Sequence, residues 1–487
     1  MKRTILFLGI ILFITSCSDK LELSPASEKN VENFYQTEDQ FYQAIMGCYD
    51  GVQNAMLRQN FSYMMTESRS DNSWQQIDYD DGQICRFSEN SELPVLNTAW
   101  ADLYEYIARC NYVLKSLENN TKLDASIKNQ FEGEARFTRA LFYFDLVRLY
   151  GEVPLVDKVI SIDEGYSLEK SSVETIYDFI ISDLKSAIDL LPDEKPSANP
   201  NRATSLAARG FLGKVYVFRS GYPLYKNEWS LASTELKTVL DGVGDAGFLN
   251  NYSDIFDISY EGGEQAVFSI GCKSGASGEG DPFPTRNAPN DIKAGDDPLM
   301  QQFGGSPYRL FLDNYILESI FEEEGDLRLD YVIQNQWINT SLDTITNQPF
   351  CRKYRSGTPA AASDWDIDWI LLRYTDVYML YAEAQYYQNG KSEALDILNK
   401  VRKRAGLTEL TASDIDTEDK FVDVLLKERR KEFCFENQRW FDLVRTDKAL
   451  DVMKAFLAHY GAEANLTSRD QYYYPIPQQE TDITGIQ

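Results

Sequence analysis

The sequence predicts a mainly α-helical chain in which antiparallel helix pairs stack, tetratricopeptide-like, against an irregular, loop-rich region. Two observations predict it. Long segments repeat their apolar residues at three- and four-residue intervals, the period of a helix with one buried face, and these segments come in pairs. Between them lie stretches rich in Gly, Asp, Asn and Pro that hold no such period, so the array is interrupted by loops.

The elements follow in order. From Thr37 to about Gln59, Phe41, Ile45, Cys48, Tyr49 and Val52 fall on one stripe and predict a first helix; an irregular stretch, Asn60 to Pro94, follows. Residues 97–118 align Trp100, Leu103, Tyr104, Ile107, Asn111 and Leu114, and residues 126–150 align Phe137, Leu141, Phe144 and Val147. Gly151, with Pro154 just beyond, stops the second of these. Val173 to Leu191 ends at Pro192, and Thr204 to Phe218 ends near Gly221 and Pro223. A later pair runs from Ile370 to Gln388 and from Ser392 to Arg404, with Asn389-Gly390 as a tight turn and Gly406 as the cap. No strict 34-residue repeat is present. A loop insertion occupies about 241–345, with one strand expected at Ala266 to Gly271.

Composition narrows the function. The chain of 487 residues carries 76 acidic against 48 basic side chains, a net charge of −28. Such a surface repels phosphate backbones and anionic lipids, so no nucleic-acid partner is expected. The single histidine, His459, excludes paired-imidazole zinc chemistry. No cofactor and no resident metal are expected, and carboxylate enzymes remain permitted. Six cysteines after Cys17 show no C-x-x-C pair, which favours buried thiols; disulfides stay open, and no pairing follows from the spacing.

The N-terminus reads as an address. Lys2 and Arg3 precede the apolar run Ile5–Ile14, too short to span a bilayer and of the length of a secretory signal. Ile14-Thr15-Ser16-Cys17 resembles a bacterial lipobox, which makes Cys17 the lipidated first residue of the mature protein. Ordinary secretory cleavage is the alternative. The expected organisation is a signal peptide at 1–16, a lipid-anchored tether at 17–36, and a single domain from 37 to 487.

Four blocks then carry a resemblance. Glu134 to Leu155, containing Ala135-Arg136-Phe137-Thr138-Arg139-Ala140 and Leu149-Tyr150-Gly151, is the first; Arg373-Tyr374-Thr375-Asp376 through Ala382-Glu383-Ala384 is the second. Glu428-Arg429-Arg430-Lys431-Glu432-Phe433 with Arg439-Trp440-Phe441-Asp442-Leu443-Val444-Arg445 is the third, and Tyr474-Pro475-Ile476-Pro477 the fourth. In this order, behind a lipobox, they resemble the SusD/RagB outer-membrane nutrient-binding lipoproteins. The resemblance implies four tetratricopeptide-like helix pairs packed on a loop-rich region, in a SusD-like α/α superhelix. It implies a non-catalytic lipoprotein that captures glycan, or in some members peptide, and delivers it to a SusC-like TonB-dependent transporter. Ser18-Asp19-Lys20 is similar to signals that send such lipoproteins to the cell surface. Physically the blocks read as structural. Glu428 and Glu432 share a helix face and are expected to neutralise Arg429, Arg430, Arg439 or Arg445; Glu383 is expected to pair with Arg373; Trp100 and Trp440 are expected core anchors.

Sugar recognition needs flat aromatic faces against the C–H patches of a pyranose ring, with polar groups for its hydroxyls. The first candidate is Asp71-Asn72-Ser73-Trp74 with Tyr79: Trp74 as stacking platform, Asn72 as polar partner. A Trp covering a neighbouring helix is the alternative. The second cluster is Phe283, Arg286, Asn287, Tyr308 and Trp337, with Trp229 and Tyr260 at its entrance. The third is Asp364 to Trp369, where alternation sets Trp365, Ile367 and Trp369 opposite three Asp. It lacks the Gly and Glu of an EF-hand, so a solvated acidic face ahead of a helix is expected there in preference to calcium. The leading function is therefore capture of oligosaccharide or polysaccharide; the alternatives are peptide capture, a carboxylate glycoside hydrolase, and a purely structural interaction array.

Overall fold

The computed structural model describes residues 34–486 except 59–60, 76–78, 119, 198, 276–277, 293–311, 347, 358 and 362–363. The signal segment, Cys17 and Tyr308 lie outside the described residues.

The first helix, Glu38–Gln53, begins at a capping box. The Thr37 hydroxyl accepts from the Gln40 N–H while the Gln40 side chain accepts from the Thr37 N–H, which satisfies two of the free donors at a helix start. Its buried face is Phe41, Ile45, Cys48 and Val52, as the spacing predicts. It rests on Pro94–Glu118 and Ala125–Tyr150. From there each helix packs on the next: 94–118 on 125–150, then Val173–Leu190, Ser205–Ser220, Trp229–Val243, Tyr374–Tyr387 and Lys391–Arg404. The 125–150 helix is buried almost all round from Phe131 onward because neighbours cover it on several sides. It ends at Gly151, whose φ of 74° suits a residue without Cβ.

Two elements depart from the sequence reading. The helix Trp229–Val243 was not expected; it buries Ala232, Leu236, Val239 and Leu240 and packs against both 205–220 and 374–387. It thereby carries the array across the loop insertion. The expected strand forms at Ala266–Ile270, but it pairs antiparallel with Trp369–Arg373, so the helix expected from Ile370 begins only at Tyr374. The reason is visible in period: Trp365, Ile367 and Trp369 are buried while Asp366 and Asp368 are half-exposed, the alternation of an extended segment.

The shared blocks act as clamps between elements. Glu134 takes Arg202 through paired bonds at 2.7 and 2.8 Å, and Arg139 holds Asp183 in the same way. At the tail, the Tyr474 hydroxyl donates to the Met65 carbonyl and its N–H to the Leu149 carbonyl, tying the C-terminal segment to the end of the 125–150 helix.

The helix Glu418–Phe433 is the centre of a buried ionic network. Glu432 accepts from Arg373 (2.7 Å), Arg328 (3.2 Å) and Arg404, and Glu428 from Arg328 (2.7 Å) and Arg402 (3.1 Å). Arg429 instead binds Asp376 and Asp442, Arg430 and Arg439 bind Asp71, and Arg445 binds Glu383 and Asp442. The partners expected for Glu428 and Glu432, and the expected Glu383–Arg373 pair, are therefore corrected. Successive helix positions are turned by about 100°, so Glu428 and Glu432 face the 328, 373 and 402–404 segments while Arg429 and Arg430 face elsewhere. Trp100 and Trp440 are buried, as expected.

Removing Glu432 leaves three guanidiniums short of an acceptor inside the protein. We expect Glu432→Ala to lower stability by about 3–5 kcal/mol, read from the urea midpoint, because an uncompensated buried charge costs that much.

Candidate ligand-binding site

The loop that follows the short helix Phe61–Thr66 is set by charge before it is set by aromatics. The Asp71 carboxylate accepts from Arg439 at 2.7 and 2.9 Å, and Arg430 donates to the Asp71 carbonyl and to Asn72 Oδ1 (2.9 Å). Asn72 Nδ2 donates to Glu67 (3.0 Å), which also accepts the Asn437 N–H (2.7 Å). Burial alone would raise the Asp71 pKa, but Arg430 and Arg439 outweigh it and bring it down to about 2. For Glu67 burial wins: it lifts the carboxyl to about 7 despite the hydrogen bonds from Asn72 and Asn437 and the pull of the Lys353 ammonium.

This anchored loop delivers Trp74 to an aromatic corner. Trp74 stacks on Tyr460 with ring centres 4.1 Å apart and planes within 9°, and Phe456 meets both rings edge-on. Beside them Tyr315 stacks on His459 at 3.6 Å and 2°, nearly perpendicular to Tyr460. Trp74 is only 3% exposed. Its indole N–H has no partner among the described residues. The accessible layer is His459, which is exposed, with Tyr315 and Tyr460 half-buried. The Tyr460 hydroxyl donates to Asp313 (2.8 Å); burial and that carboxylate hold its pKa far above the usual range, so it stays a donor. Tyr315 belongs to the helix Asn314–Ile320, started by Asp313 accepting from the Ile316 N–H, and His459 ends the helix Ala449–His459.

Residues 284–485 match the model of the SusD family, and residues 19–217 match a family described as starch-binding associating with outer membrane. SusD-like protein P25 of Formosa agariphila is 22% identical over an alignment covering 100% of this chain and 97% of that protein. The chain belongs to the SusD-like family. The crystal structure of a SusD homolog from Bacteroides thetaiotaomicron shares the fold, with a TM-score of 0.78 at 24% identity over 93% of this chain and 96% of that one. A laminarin-binding SusD-like protein gives 0.75 at 22% identity, over 93% and 99%.

Against this SusD-like frame the expected site residues separate. Asn72 and Trp74 reach the corner, but beneath it: Trp74 supports Tyr460 and offers no bare platform, and Asn72 is occupied by Glu67 and Arg430. Tyr79, on the same stretch of chain, is 66% exposed. Of the second cluster, Phe283, Asn287 and Trp337 are interior, Arg286 and Trp229 are half-buried, and Tyr260 is exposed. Asn287 is buried and accepts from the Tyr63 hydroxyl, Arg286 donates to the Leu57 carbonyl, and Trp337 is buried with its N–H on the Gln348 carbonyl. Trp365, in the third cluster, is buried with its N–H on Thr285. The acidic face there is not simply solvated: Asp368 accepts from the Cys272 N–H and from Asn201. Among the described residues no group of three His, Cys, Asp or Glu is placed to hold a metal ion. The indoles are buried because the largest apolar surfaces gain most from leaving water.

Tyr315, His459 and Tyr460, the rings of the corner, are not among the site residues expected from the sequence. The spacing Phe456-x-x-His459-Tyr460 puts three rings on one helix face and was the available signal; Tyr315 lay inside the segment read as loop.

Trp74→Ala should cost about 3 kcal/mol of stability through the void left under Tyr460, measured by urea unfolding. Asp71 supplies a pH dependence whose sign follows from its depressed pKa. Its contribution, about 2 kcal/mol, is complete above about pH 4 and is lost as pH falls through about 2. Asp71→Asn should flatten that acid limb in urea midpoints taken between pH 5 and pH 2.

Proposed function

We propose that this SusD-like protein is a lipid-anchored binding protein of the outer membrane that captures oligosaccharide or polysaccharide on the shelf of Tyr315, His459 and Tyr460. It then delivers the ligand to a SusC-like TonB-dependent transporter, acting as a lid over the barrel. The observation that carries this reading is the corner itself: two ring stacks at right angles, pinned from behind by Trp74 and Phe456, with their outer layer open to solvent. Rings locked in place lose little entropy when a sugar stacks on them, and the Asp313 carboxylate, which holds the Tyr460 hydroxyl, supplies a polar contact beside it. The description of the family matching residues 19–217 supports both the glycan and the outer membrane, and the laminarin named for one structural relative supports the glycan again. The lipobox at Cys17 supports the anchor.

Binding without catalysis is supported by the condition of the buried carboxylates. Glu428, Glu432, Asp376 and Asp442 are each held by guanidiniums, and Glu67, the carboxyl lifted to about 7, is fully enclosed and bonded to Asn72 and the Asn437 N–H, whereas a general acid must present a protonated carboxyl to its substrate.

The test is affinity electrophoresis of the chain beginning after Cys17 against neutral polysaccharides, acidic polysaccharides and peptides. A neutral glycan should retard it, and Tyr315→Ala and His459→Ala should each weaken binding about 2- to 12-fold, the worth of one ring contact. Unchanged affinity in both variants would remove the shelf from the site. Binding of peptide alone would transfer the capture role to peptide, and release of reducing sugar would restore the hydrolase.

A further inference from the structure

Beside the shelf lies a cavity of about 220 Å³, and two of its walls are the helices that carry the shelf rings. Ser319 stands one turn from Tyr315 on the Asn314–Ile320 helix, and Val452 stands two turns before His459 on the Ala449–His459 helix, each on the face of its ring. Tyr315 stacks on His459 at one end of this helix pair, and the cavity lies at the other, about 10 Å along the 449–459 helix. The third wall is the Glu418–Phe433 helix, which lines the cavity with Asp423, Leu426, Lys427 and Arg430 at three- and four-residue spacing.

The cavity has a floor and a rim. Asp71, Arg430, Lys431 and Arg439 are buried and form the floor, whereas Glu322, Asp423 and Lys427 are exposed and form the rim. Arg430 ties the floor to one wall by donating to the Ser319 carbonyl (3.1 Å) and hydroxyl (3.2 Å). At the rim two ion pairs bridge the 418–433 helix to its neighbours, Lys427 with Glu322 (2.9 Å) and Asp423 with Lys448 (3.8 Å). The cations of the floor are also matched: Lys431 meets Glu323, and Arg430 and Arg439 share Asp71. With each lining cation already facing a carboxylate, the cavity calls for no counter-ion. It offers instead an interleaved set of donors and acceptors, which hydroxyl groups, each both donor and acceptor, can join.

We propose that this cavity is a second subsite that takes the end unit of a neutral glycan chain, branch ends included, while the following units lie on the shelf. The proposal rests on the reading of the shelf as a glycan site and adds which part of the glycan is recognised. Size and shape carry it. The volume equals the share of roughly seven waters in the liquid, below the range of about 300–1,000 Å³ that holds a drug-sized ligand, and so suits a single sugar unit. A floor of buried, mutually bonded side chains stops a chain from running through, so a unit enters end-on. The exposed ion pairs at the rim contribute little to stability and can exchange partners with hydroxyls as the unit enters. Once the end unit is seated, the shelf meets the next units at the high effective concentration that covalent linkage provides.

The chain beginning after Cys17 is titrated with neutral polysaccharides (α- and β-glucans, mannan and xylan), each intact and after partial depolymerisation. For the glycan that binds, the half-saturating mass concentration should fall in proportion to the number of chain ends. Val452→Trp, which fills the cavity, should weaken oligosaccharide binding about 5-fold or more, and Lys427→Ala about 2- to 5-fold, the worth of about one net hydrogen bond. Lys427 is exposed, so its variant reports on binding even if Val452→Trp unfolds the helix pair. A half-saturating mass that stays constant or rises on depolymerisation would overturn the proposal, because it marks binding along the chain. Weakening by Tyr315→Ala with none by Val452→Trp or Lys427→Ala would overturn the cavity and keep the shelf; the reverse pattern would keep the cavity and remove the shelf. Binding of none of these glycans would remove both.

Discussion

The buried charges of the 418–433 helix hold the two halves of the molecule to each other. Arg328 and Arg373 come from the irregular region and its strand, Arg402 and Arg404 from the last helix of the array, and all four converge on Glu428 and Glu432. Taking so many charges out of water is expensive, so the network adds little net stability over a well-packed apolar core of the same volume. What it adds is direction. An apolar surface tolerates several packings, whereas Glu432 is satisfied only when three segments, distant in sequence, arrive together. That suits a junction between a regular array and a region without periodic structure to define its own register.

The aromatic corner inherits its geometry from the same helix. Arg430 holds the Asp71 carbonyl and Asn72, Arg439 holds the Asp71 carboxylate, and Glu67 joins Asn72 to Asn437. Phe435 and Asn437 both adopt positive φ, 65° and 60°, a conformation that costs a residue with a Cβ about 1 kcal/mol or more. The surrounding bonds over-determine these positions, which is how such a turn persists. From Asp71 three residues of chain lead to Trp74, and Trp74 sets the plane of Tyr460. A ring presented to solvent is thus positioned by ion pairs two layers beneath it.

This layering explains what was legible in the sequence. Helices declare themselves through local period, and the first helix, the 94–118 and 125–150 pair and the Gly151 stop were all readable. The strand at 369–373 was not, because its pairing with 266–270 crosses a hundred residues and its apolar run fits a helix equally well. Ion-pair partners fail for a related reason: the spacing of Glu428 and Glu432 shows that they share a face but not what that face meets. For aromatics the bias ran toward tryptophan. Trp337 and Trp365 proved to be core, while the accessible layer of the aromatic corner is two tyrosines and the lone histidine at helix ends, where a polar atom keeps one edge wet.

The net charge of −28 gains meaning once the interior is counted. Thirteen basic and fifteen acidic side chains are buried among the described residues, so the interior accounts for only −2 of it. The excess negative charge therefore lies on the partly and fully exposed residues and the segments outside the description. A strongly acidic exterior repels phosphate, sulfate and carboxylate groups over about a Debye length, roughly 8 Å at physiological salt. An uncharged sugar is indifferent to that field, and its affinity comes from ring contact and hydrogen bonding. A surface that repels anions is thus consistent in charge with the proposed capture of neutral glycan on the aromatic corner.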